Sequence, residues 1–286
     1  MQSIPSIAIL LATYNSEKYI VQQIDSILNQ TNQDWILYIN DDGSTDKTIQ
    51  IIDRYVEIHN ERIIKLLLGI DQLGAAHNFV IMLQEIDAKY YMFCDHDDIW
   101  IPTKVEESIK QIQILEEEHS NSAILVHTDL KIVDKNLKII HESFYKATRI
   151  NPDYFNTFNY LGVANCVTGC TMLINDFAKQ CIPFYPPKLV MHDWWIAANI
   201  SKTGIISYIP HATILYRQHL SNVLGVQKTG FNYLLHNITK LKKIFLLDFL
   251  KYQQIKTIGY GSGYFGEADP CFGDIDPLAE NGSKNR

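Results

Sequence analysis

The sequence predicts an α/β fold built on a mixed, mainly parallel sheet flanked by helices. Two observations carry that expectation. Short, continuous apolar runs alternate with segments of helical period through the first half of the chain, the pattern of strands buried on both faces and joined by helical crossovers. Polar clusters also follow three of those runs directly, at Thr13-Tyr14-Asn15, at Asp41-Asp42 and at Asp95 to Asp98. Ligands bind outside the carboxyl ends of the strands in such sheets, so these clusters are expected on one edge although they lie far apart in sequence.

The elements follow in order. Ile7 to Ala12 is a buried strand, and the helix after it carries Ile20, Ile24, Ile27 and Leu28 on one face, with Asn15 or Ser16 as its cap. Trp35 to Ile39 is the second strand; it leads through Asn40-Asp41-Asp42-Gly43-Ser44-Thr45-Asp46 into a helix using Ile49, Ile52, Tyr55 and Val56. Ile63 to Leu68 is a third strand, Gly69 to Gly74 a loop, and Phe79, Val80, Leu83 and Ile86 mark a third helix. Tyr90 to Cys94 is the fourth strand. Pro102 suits the first turn of the helix that uses Val105, Ile109, Ile112 and Leu115, and Ala123 to His127 is a fifth strand.

The second half is less regular. Asn151 to Asn165 reads as a loop or short helix, Cys166 to Ile174 as an apolar stretch containing Gly169, and Pro183 to Pro187 as a turn. Met191-His192-Asp193-Trp194-Trp195 opens a helix through Ile200. Gly204 to Ile209 is a strand candidate and Ala212 to Tyr216 a second one, followed by Arg217, Gln218 and His219. From Phe231 to Lys256 apolar residues recur at helical spacing beside five lysines and one aspartate. That is a basic amphipathic helix, suited to an anionic membrane surface or to packing on the domain with its lysines in water. Gly259 to Arg286 has no apolar period and is expected to be poorly ordered. The expected division is 1–228 for the main domain, 229–256 for the basic helix and 257–286 for an atypical tail.

Composition limits the function. The net charge of -7 argues against nucleic acid as the main partner. Met1 to Ser6 has no basic n-region, Ile7 to Ala12 is too short for an h-region, and no apolar run spans a bilayer. Five cysteines without repeated spacing argue against a disulfide framework; Cys94, Cys166, Cys170 and Cys181 read as buried free thiols. The expected location is the cytoplasm, with peripheral contact at the cytoplasmic face of the inner membrane through residues 231–256 left open.

The stretch Tyr90 to Pro102, YYMFCDHDDIWIP, is the chemical centre of the chain. Three carboxylates in four residues after a buried strand repel one another unless a cation sits among them. Asp95 and Asp97 point the same way in extended chain, a plausible clamp for a hard divalent ion that shares substrate phosphates. The bland alternative is a helix-capping turn through Asp97 or Asp98.

The runs IAILLATYNSEKYIVQQIDSILNQT, NDDGSTD and FCDHDDIW resemble the inverting GT-A (nucleotide-diphospho-sugar transferase, Rossmann-like) glycosyltransferases of family 2. TGCTMLIN, MHDWW and YRQHLSNVLG resemble the bacterial rhamnosyltransferase-type branch, which builds surface polysaccharides. The likeness covers roughly residues 5–228, and it implies roles. Thr13, Tyr14, Asn15, Asp41, Asp42, Gly74, Asn78 and Asp95 line the nucleotide site, with Asp42 accepting from the pyrimidine N–H. Asp95, Asp97 and His219 hold Mg²⁺ or Mn²⁺, Asp97 as the direct ligand. Asp193 is the catalytic base. Gly169, Trp194, Trp195 and Arg217 lie near acceptor and diphosphate. The QxxRW motif of processive synthases is absent, which implies addition of one sugar.

From the residues alone several of these positions have competing readings. Asp193 can be a helix N-cap, and Trp194 and Trp195 can be core instead of a face for a sugar ring. Arg217 can pair with diphosphate or with a core carboxylate, and His219 can be a structural histidine. The expected function is metal-assisted transfer of a sugar from dTDP-rhamnose or a UDP-sugar to a saccharide or lipid-linked acceptor. The alternative is a catalytically silent nucleotide-sugar-binding scaffold at a membrane glycan-assembly complex.

Overall fold

The computed structural model describes residues 6–68, 72–155, 161, 165–183 and 191–218. The basic segment 231–256, the tail 257–286, His219 and the domain limits at 228 and 256 lie outside them.

β1 (Ile7–Thr13), β2 (Trp35–Asp41), β3 (Ile63–Lys65) and β4 (Tyr90–Cys94) form a parallel block, in the order β3-β2-β1-β4. β8 (Met172–Asn175) runs antiparallel between β4 and β6 (Ile124–Val133). β9 (Ile205–Arg217) pairs parallel to β6, and β5 (Ile99–Trp100) closes the order antiparallel to β9. β7 (Ile139–His141) hangs on β6.

The parity of β1 explains its unbroken apolar run. Ile7, Ile9 and Leu11 join one core cluster with Ile20, Ile24 and Ile27 of α1 (Ile20–Leu28), Ile52 of α2 (Thr48–Ile58), and Val105, Ile109 and Ile112 of α4 (Lys104–Glu118). Ala8, Leu10 and Ala12 join the opposite cluster with Phe79, Met82 and Leu83 of α3 (Ala75–Glu85) and with the helix His192–Ile200. Each face of the strand meets its own helical layer, so neither set of side chains reaches water.

Among the described residues, the shorter helices α5 (Phe144–Thr148), α6 (Pro152–Phe155) and α7 (Asp176–Gln180) precede the helix His192–Ile200, α8.

The structure corrects several sequence expectations. β6 continues past His127 to Val133. The polar run that hid its second half is buried and satisfied from a distance: His127 Nδ1 meets Tyr145 OH at 3.0 Å, the Thr128 and Thr213 hydroxyls lie 2.7 Å apart, and Asp129 accepts from the Phe144 N–H at 3.1 Å. Gly204–Ile209 and Ala212–Tyr216 are one strand, β9. The register shift opposite Thr128 and Asp129 absorbs Pro210 and His211, which lets a proline sit inside it.

β3 stops at Lys65, although the Leu66 N–H still donates to the Ile39 carbonyl at 2.8 Å. Neither Asn15 nor Ser16 caps α1; Tyr19 stands at that position. Thr103 stands at the N-cap of α4, so Asp97 and Asp98 are not its caps and Pro102 lies just outside the helix. Cys94, Cys166 and Cys170 are buried free thiols, whereas Cys181 is half-buried and disulfide-bonded. Among the described residues no helix is long and apolar enough to cross a membrane.

Candidate active site

The carboxyl ends of β1, β2 and β4 open on the same edge, as the parallel register demands. At the end of β1, Thr13 is buried and donates its hydroxyl to Asp41 at 2.7 Å, while Tyr14 is 50% exposed. Asn15 takes a left-handed φ of 46°, and its side-chain oxygen accepts from the Thr45 N–H at 2.8 Å.

Asp41 organises the turn after β2: it also accepts from the Gly43 and Ser44 N–H groups and the Ser44 hydroxyl, at 3.2, 2.7 and 2.6 Å. Asp42 faces the other way. Its two oxygens each accept one backbone N–H, from Leu73 and Gly74, at 2.8 Å each. Gly74 stands at φ 76° at the entrance of α3, a conformation strained for any residue with a Cβ. Asn78, buried on α3, accepts from the Asn40 side chain at 3.0 Å. Asp42 and Asn78 thus anchor the loop and helix above the end of β2.

At the end of β4 the chain carries Asp95, half-buried, and Asp97 and Asp98, both buried. Burial pushes the Asp95 carboxyl up from the usual range, and the charges of Asp97 and Asp193 add to the shift. Burial, then Asp97 and Asp95, push Asp98 up as well. A bound cation reverses that pressure. Among the described residues the side chains whose ligand atoms come within 4.8 Å of one another are Asp95, Asp98 and Cys170. Asp98, buried there, is hydrogen-bonded by the Cys170 thiol. The carboxylate oxygens fit a hard divalent ion; the thiol does not add to that fit. The Asp97 carboxylate is outside this group of three.

Arg217 is buried and engaged inside the protein. Its backbone N–H donates to Asp98 at 3.0 Å, Nε to the Asp97 carbonyl at 2.8 Å, Nη1 to the Lys135 carbonyl at 2.9 Å and Nη2 to Gln22 at 2.7 Å. The expectation that Arg217 meets diphosphate is corrected: it is the clamp that ties β9 to the acidic loop.

Asp193 is the second residue of α8, not its cap, which is Met191. Its carboxylate accepts from the Trp194 N–H at 2.6 Å and from the Gly169 N–H at 3.1 Å. Burial pushes it up to about 6, while those two donors and the Asn165 side chain oppose the shift. Gly169 has a steric role too, because a Cβ there would meet His192 Nε2 at 2.5 Å. His192 is buried with neither ring nitrogen hydrogen-bonded, packed 4.2 Å from Phe79 and 5.5 Å from Phe93 between ring centroids. Trp194 and Trp195 are buried in the core cluster on that side of the sheet, and the Trp194 indole donates to the Leu161 carbonyl. Neither presents a face to a sugar, which corrects that expectation.

The sequence reading gave no site role to four residues of this region: Asp98, read as a capping candidate, Cys170, read as a buried thiol, His192, placed at a helix start, and Lys104. Lys104 is fully buried, its Nζ 4.8 Å from the centre of the Trp100 ring and without a hydrogen-bond partner, and burial pushes it down to about 8. Nothing local flags Lys104 or Cys170, since their meeting with the acidic loop is made by tertiary packing.

Comparison with known proteins completes the picture. The family model described as "Glycosyl transferase family 2" matches residues 8–181. A dTDP-rhamnosyl transferase, RfbG, of Shigella flexneri is 28% identical over 227 residues, covering 75% of this chain and 73% of that protein. A UDP-Glc:alpha-D-GlcNAc-diphosphoundecaprenol beta-1,3-glucosyltransferase, WfgD, of Escherichia coli is 28% identical over 215 residues, covering 75% and 77%. Among solved structures, Staphylococcus aureus TarS 1-349 in complex with UDP-GlcNAc superposes with a TM-score of 0.56 at 18% identity, covering 90% of this chain and 73% of that one. The match spans 37% of a longer TarS chain. At that identity the likeness speaks to the fold.

Proposed function

The chain belongs to glycosyl transferase family 2, and from that premise we propose that it is an inverting enzyme that moves one sugar from dTDP-rhamnose or a UDP-sugar to a hydroxyl of a lipid-linked or growing surface-polysaccharide acceptor. The observation that carries the reading is the meeting of two carboxylate sites from distant segments. The Gly169 N–H donates to Asp193, at the start of α8, and the sulfur of the adjacent Cys170 lies within 4.8 Å of a ligand oxygen of Asp95, after β4, so the proposed cation site and the proposed base flank one short turn.

The chemistry follows from the groups present. Asp95 and Asp97, with His219 as the family resemblance implies, would hold Mg²⁺ or Mn²⁺, which would supply positive charge for the departing diphosphate. Asp42 keeps a free lone pair on each oxygen after binding the Leu73 and Gly74 N–H groups, enough to accept the pyrimidine N–H. Thr13, Asn15, Asp41, Gly74 and Asn78 hold the walls of that pocket, and exposed Tyr14 lies at its rim. Asp193 takes the proton from the acceptor hydroxyl; its pKa near 6 leaves it mostly ionised at neutral pH yet basic enough to act. Arg217 acts through the backbone by holding the Asp97 carbonyl. The catalytic unit spans 1–228, and the basic segment 231–256 docks it on the cytoplasmic face of an anionic membrane.

The test is a thermal-shift series with UDP, dTDP and their sugars, each with and without Mn²⁺, on the wild type and Asp97→Asn. A ligand that binds the folded state alone raises Tm by mass action. Metal-dependent stabilisation by one nucleotide, lost in Asp97→Asn, is the expected result. A protein that melts cooperatively and responds to no nucleotide overturns the proposal and favours a silent scaffold.

A further inference from the structure

The hairpin beyond β6 serves no step of the transfer chemistry, yet it is firmly built. Asp134 shapes its turn. The Asp134 N–H donates to the Lys138 carbonyl at 2.9 Å, and Oδ1 accepts from the Asn136 and Lys138 N–H groups at 2.8 and 2.9 Å. Leu137 closes the turn at a left-handed φ of 67°. The returning strand, β7, then exposes every side chain it has: Ile139 is 43% exposed, Ile140 is 49% exposed, and His141 is exposed as well. A register shift accounts for this. Ile132 pairs with His141 and Val133 with Ile139, so Ile140 is an extra residue. The bulge suspends the alternation that would turn one of two adjacent side chains inward.

Charge identifies what the tip meets. Residues 131–142 hold three lysines against Asp134 and Glu142, a basic island in a chain of net charge -7. Glu142 is paired with Lys131 at 2.8 Å, and the Asp134 carboxylate is occupied by the turn. Lys135 and Lys138 are exposed and have no carboxylate partner among the described residues. Lysines and a bulge protect an edge strand from pairing with another chain, but isoleucines in the open work against that end. Isoleucines beside free ammonium groups instead match a bilayer with anionic headgroups, which takes the apolar groups below its surface and the cations at it.

Position adds a second reason. The Arg217 guanidinium reaches the Lys135 carbonyl through Nη1 and the Asp97 carbonyl through Nε, at 2.9 and 2.8 Å, so one side chain separates the hairpin from the acidic loop. The Gln218 N–H donates to the Val133 carbonyl at 2.8 Å and fixes the hairpin to the end of β9. A surface that grips the tip therefore meets the same edge of the sheet as the candidate active site.

We propose that the hairpin 134–141 is a membrane contact distinct from residues 231–256: Ile139 and Ile140 enter the headgroup boundary of an anionic bilayer, and Lys135 and Lys138 meet its lipid phosphates. Stable attachment takes two such signals, and the hairpin is the one that turns the acidic loop toward the membrane. The docking stands on the hairpin alone; that it brings the site to a lipid-linked acceptor rests on the function proposed above.

The experiment introduces Ile140→Trp into the full chain and adds vesicles of brominated phosphatidylcholine, with and without brominated phosphatidylglycerol. The four native tryptophans are 2–4% exposed, so quenching by bromine reports the new indole. Its emission is expected to be that of an exposed indole in buffer. It is expected to shift to the blue and be quenched on vesicles that contain phosphatidylglycerol, and not on phosphatidylcholine alone. Lys135→Ala and Lys138→Ala in that background are each expected to weaken partitioning about fivefold, the usual worth of a lysine at an anionic surface. Ile139→Ser/Ile140→Ser, with no new tryptophan, is expected to co-sediment less with the same vesicles. Co-sedimentation without quenching of Ile140→Trp overturns the proposal and leaves residues 231–256 as the attachment. Absence of vesicle binding, equal quenching on both vesicles, or unchanged co-sedimentation of the serine variant overturns it too. So does blue emission before vesicles are added: at dimer mass a second copy covers the tip, and at monomer mass other residues of the chain do. Quenching as expected in a protein that transfers no sugar counts against the transferase reading and leaves the docking standing.

Discussion

Gly169→Ala is the most informative single change. The added methyl meets His192 Nε2 at 2.5 Å and Cε1 at 2.9 Å, distances that real Cβ contacts do not reach. The ring has little room to retreat, because it is fully enclosed and packed against Phe79 and Phe93. Overpacking of this kind costs about 1–3 kcal/mol, and at this chain length each kcal/mol moves Tm by about 2–4 °C, so a fall of roughly 2–12 °C is expected.

The same residue donates its N–H to Asp193, so a shift of the turn displaces the proposed base. Misplacement by about 1 Å lowers a catalysed rate by about a hundredfold. The discriminating assay is a double-mutant cycle. In a His192→Ala background the methyl has space, and the stability cost of Gly169→Ala is expected to shrink by about 0.5–3 kcal/mol, the usual range for residues in contact. Thermal and urea melts of the four proteins measure it. Additive effects, or no shift in Gly169→Ala, would falsify the steric account.

Three further outcomes are expected. Burial holds the folded-state pKa of His192 down to about 3, below the ordinary 6.5. Its neutral form therefore contributes stability above pH 6.5 that is lost as pH falls toward 3, at about 1.4 kcal/mol per unit. Between pH 7 and 5 the wild type should lose about 2 kcal/mol more than His192→Ala in urea melts, and parallel losses count against a buried neutral ring. Asp193, raised to about 6 by burial, is active when ionised, so kcat/KM should fall tenfold per unit below that pH and stay flat above it. Asp193→Asn should lower the rate by about 10²- to 10⁴-fold without lowering Tm, since a carboxylate with a raised pKa weakens the fold at neutral pH. Arg217→Ala removes three side-chain hydrogen bonds, one buried and two part-buried, and should cost about 3 kcal/mol in urea unfolding; unchanged stability with a raised donor KM means that the guanidinium reaches the diphosphate after all.

The chain's own pattern reveals much of the parallel half. Runs such as Ile7 to Ala12 and Tyr90 to Cys94 are apolar at every position because helices cover both faces, and that demand is local enough to read without coordinates. Strand ends are equally legible: Thr13, Asp41, Asp42 and Asp95 each follow an apolar run, and parallel register brings them to one edge. The second half resists the same reading because its strands bury polar residues. Thr128 and Asp129 look like a loop until Thr213 and Ser143 supply partners from distant positions, and Pro210 looks like a strand breaker until a register shift accommodates it.

The site divides along the same line. Short-range spacing marks Asp95 and Asp97 as a candidate cation clamp at a strand end, whereas Asp193 stands out through the family resemblance and from its neighbours alone reads equally as a helix cap. Which of them meet, and what else joins them, depends on contacts spanning much of the chain. Cys170 reaches the acidic loop, Arg217 turns inward to hold the Asp97 carbonyl, and His192 requires Gly169 to have no side chain. Hydrophobic period is a property of neighbours in sequence. Desolvation, hydrogen-bond satisfaction and steric fit depend on neighbours in space, and packing alone sets those.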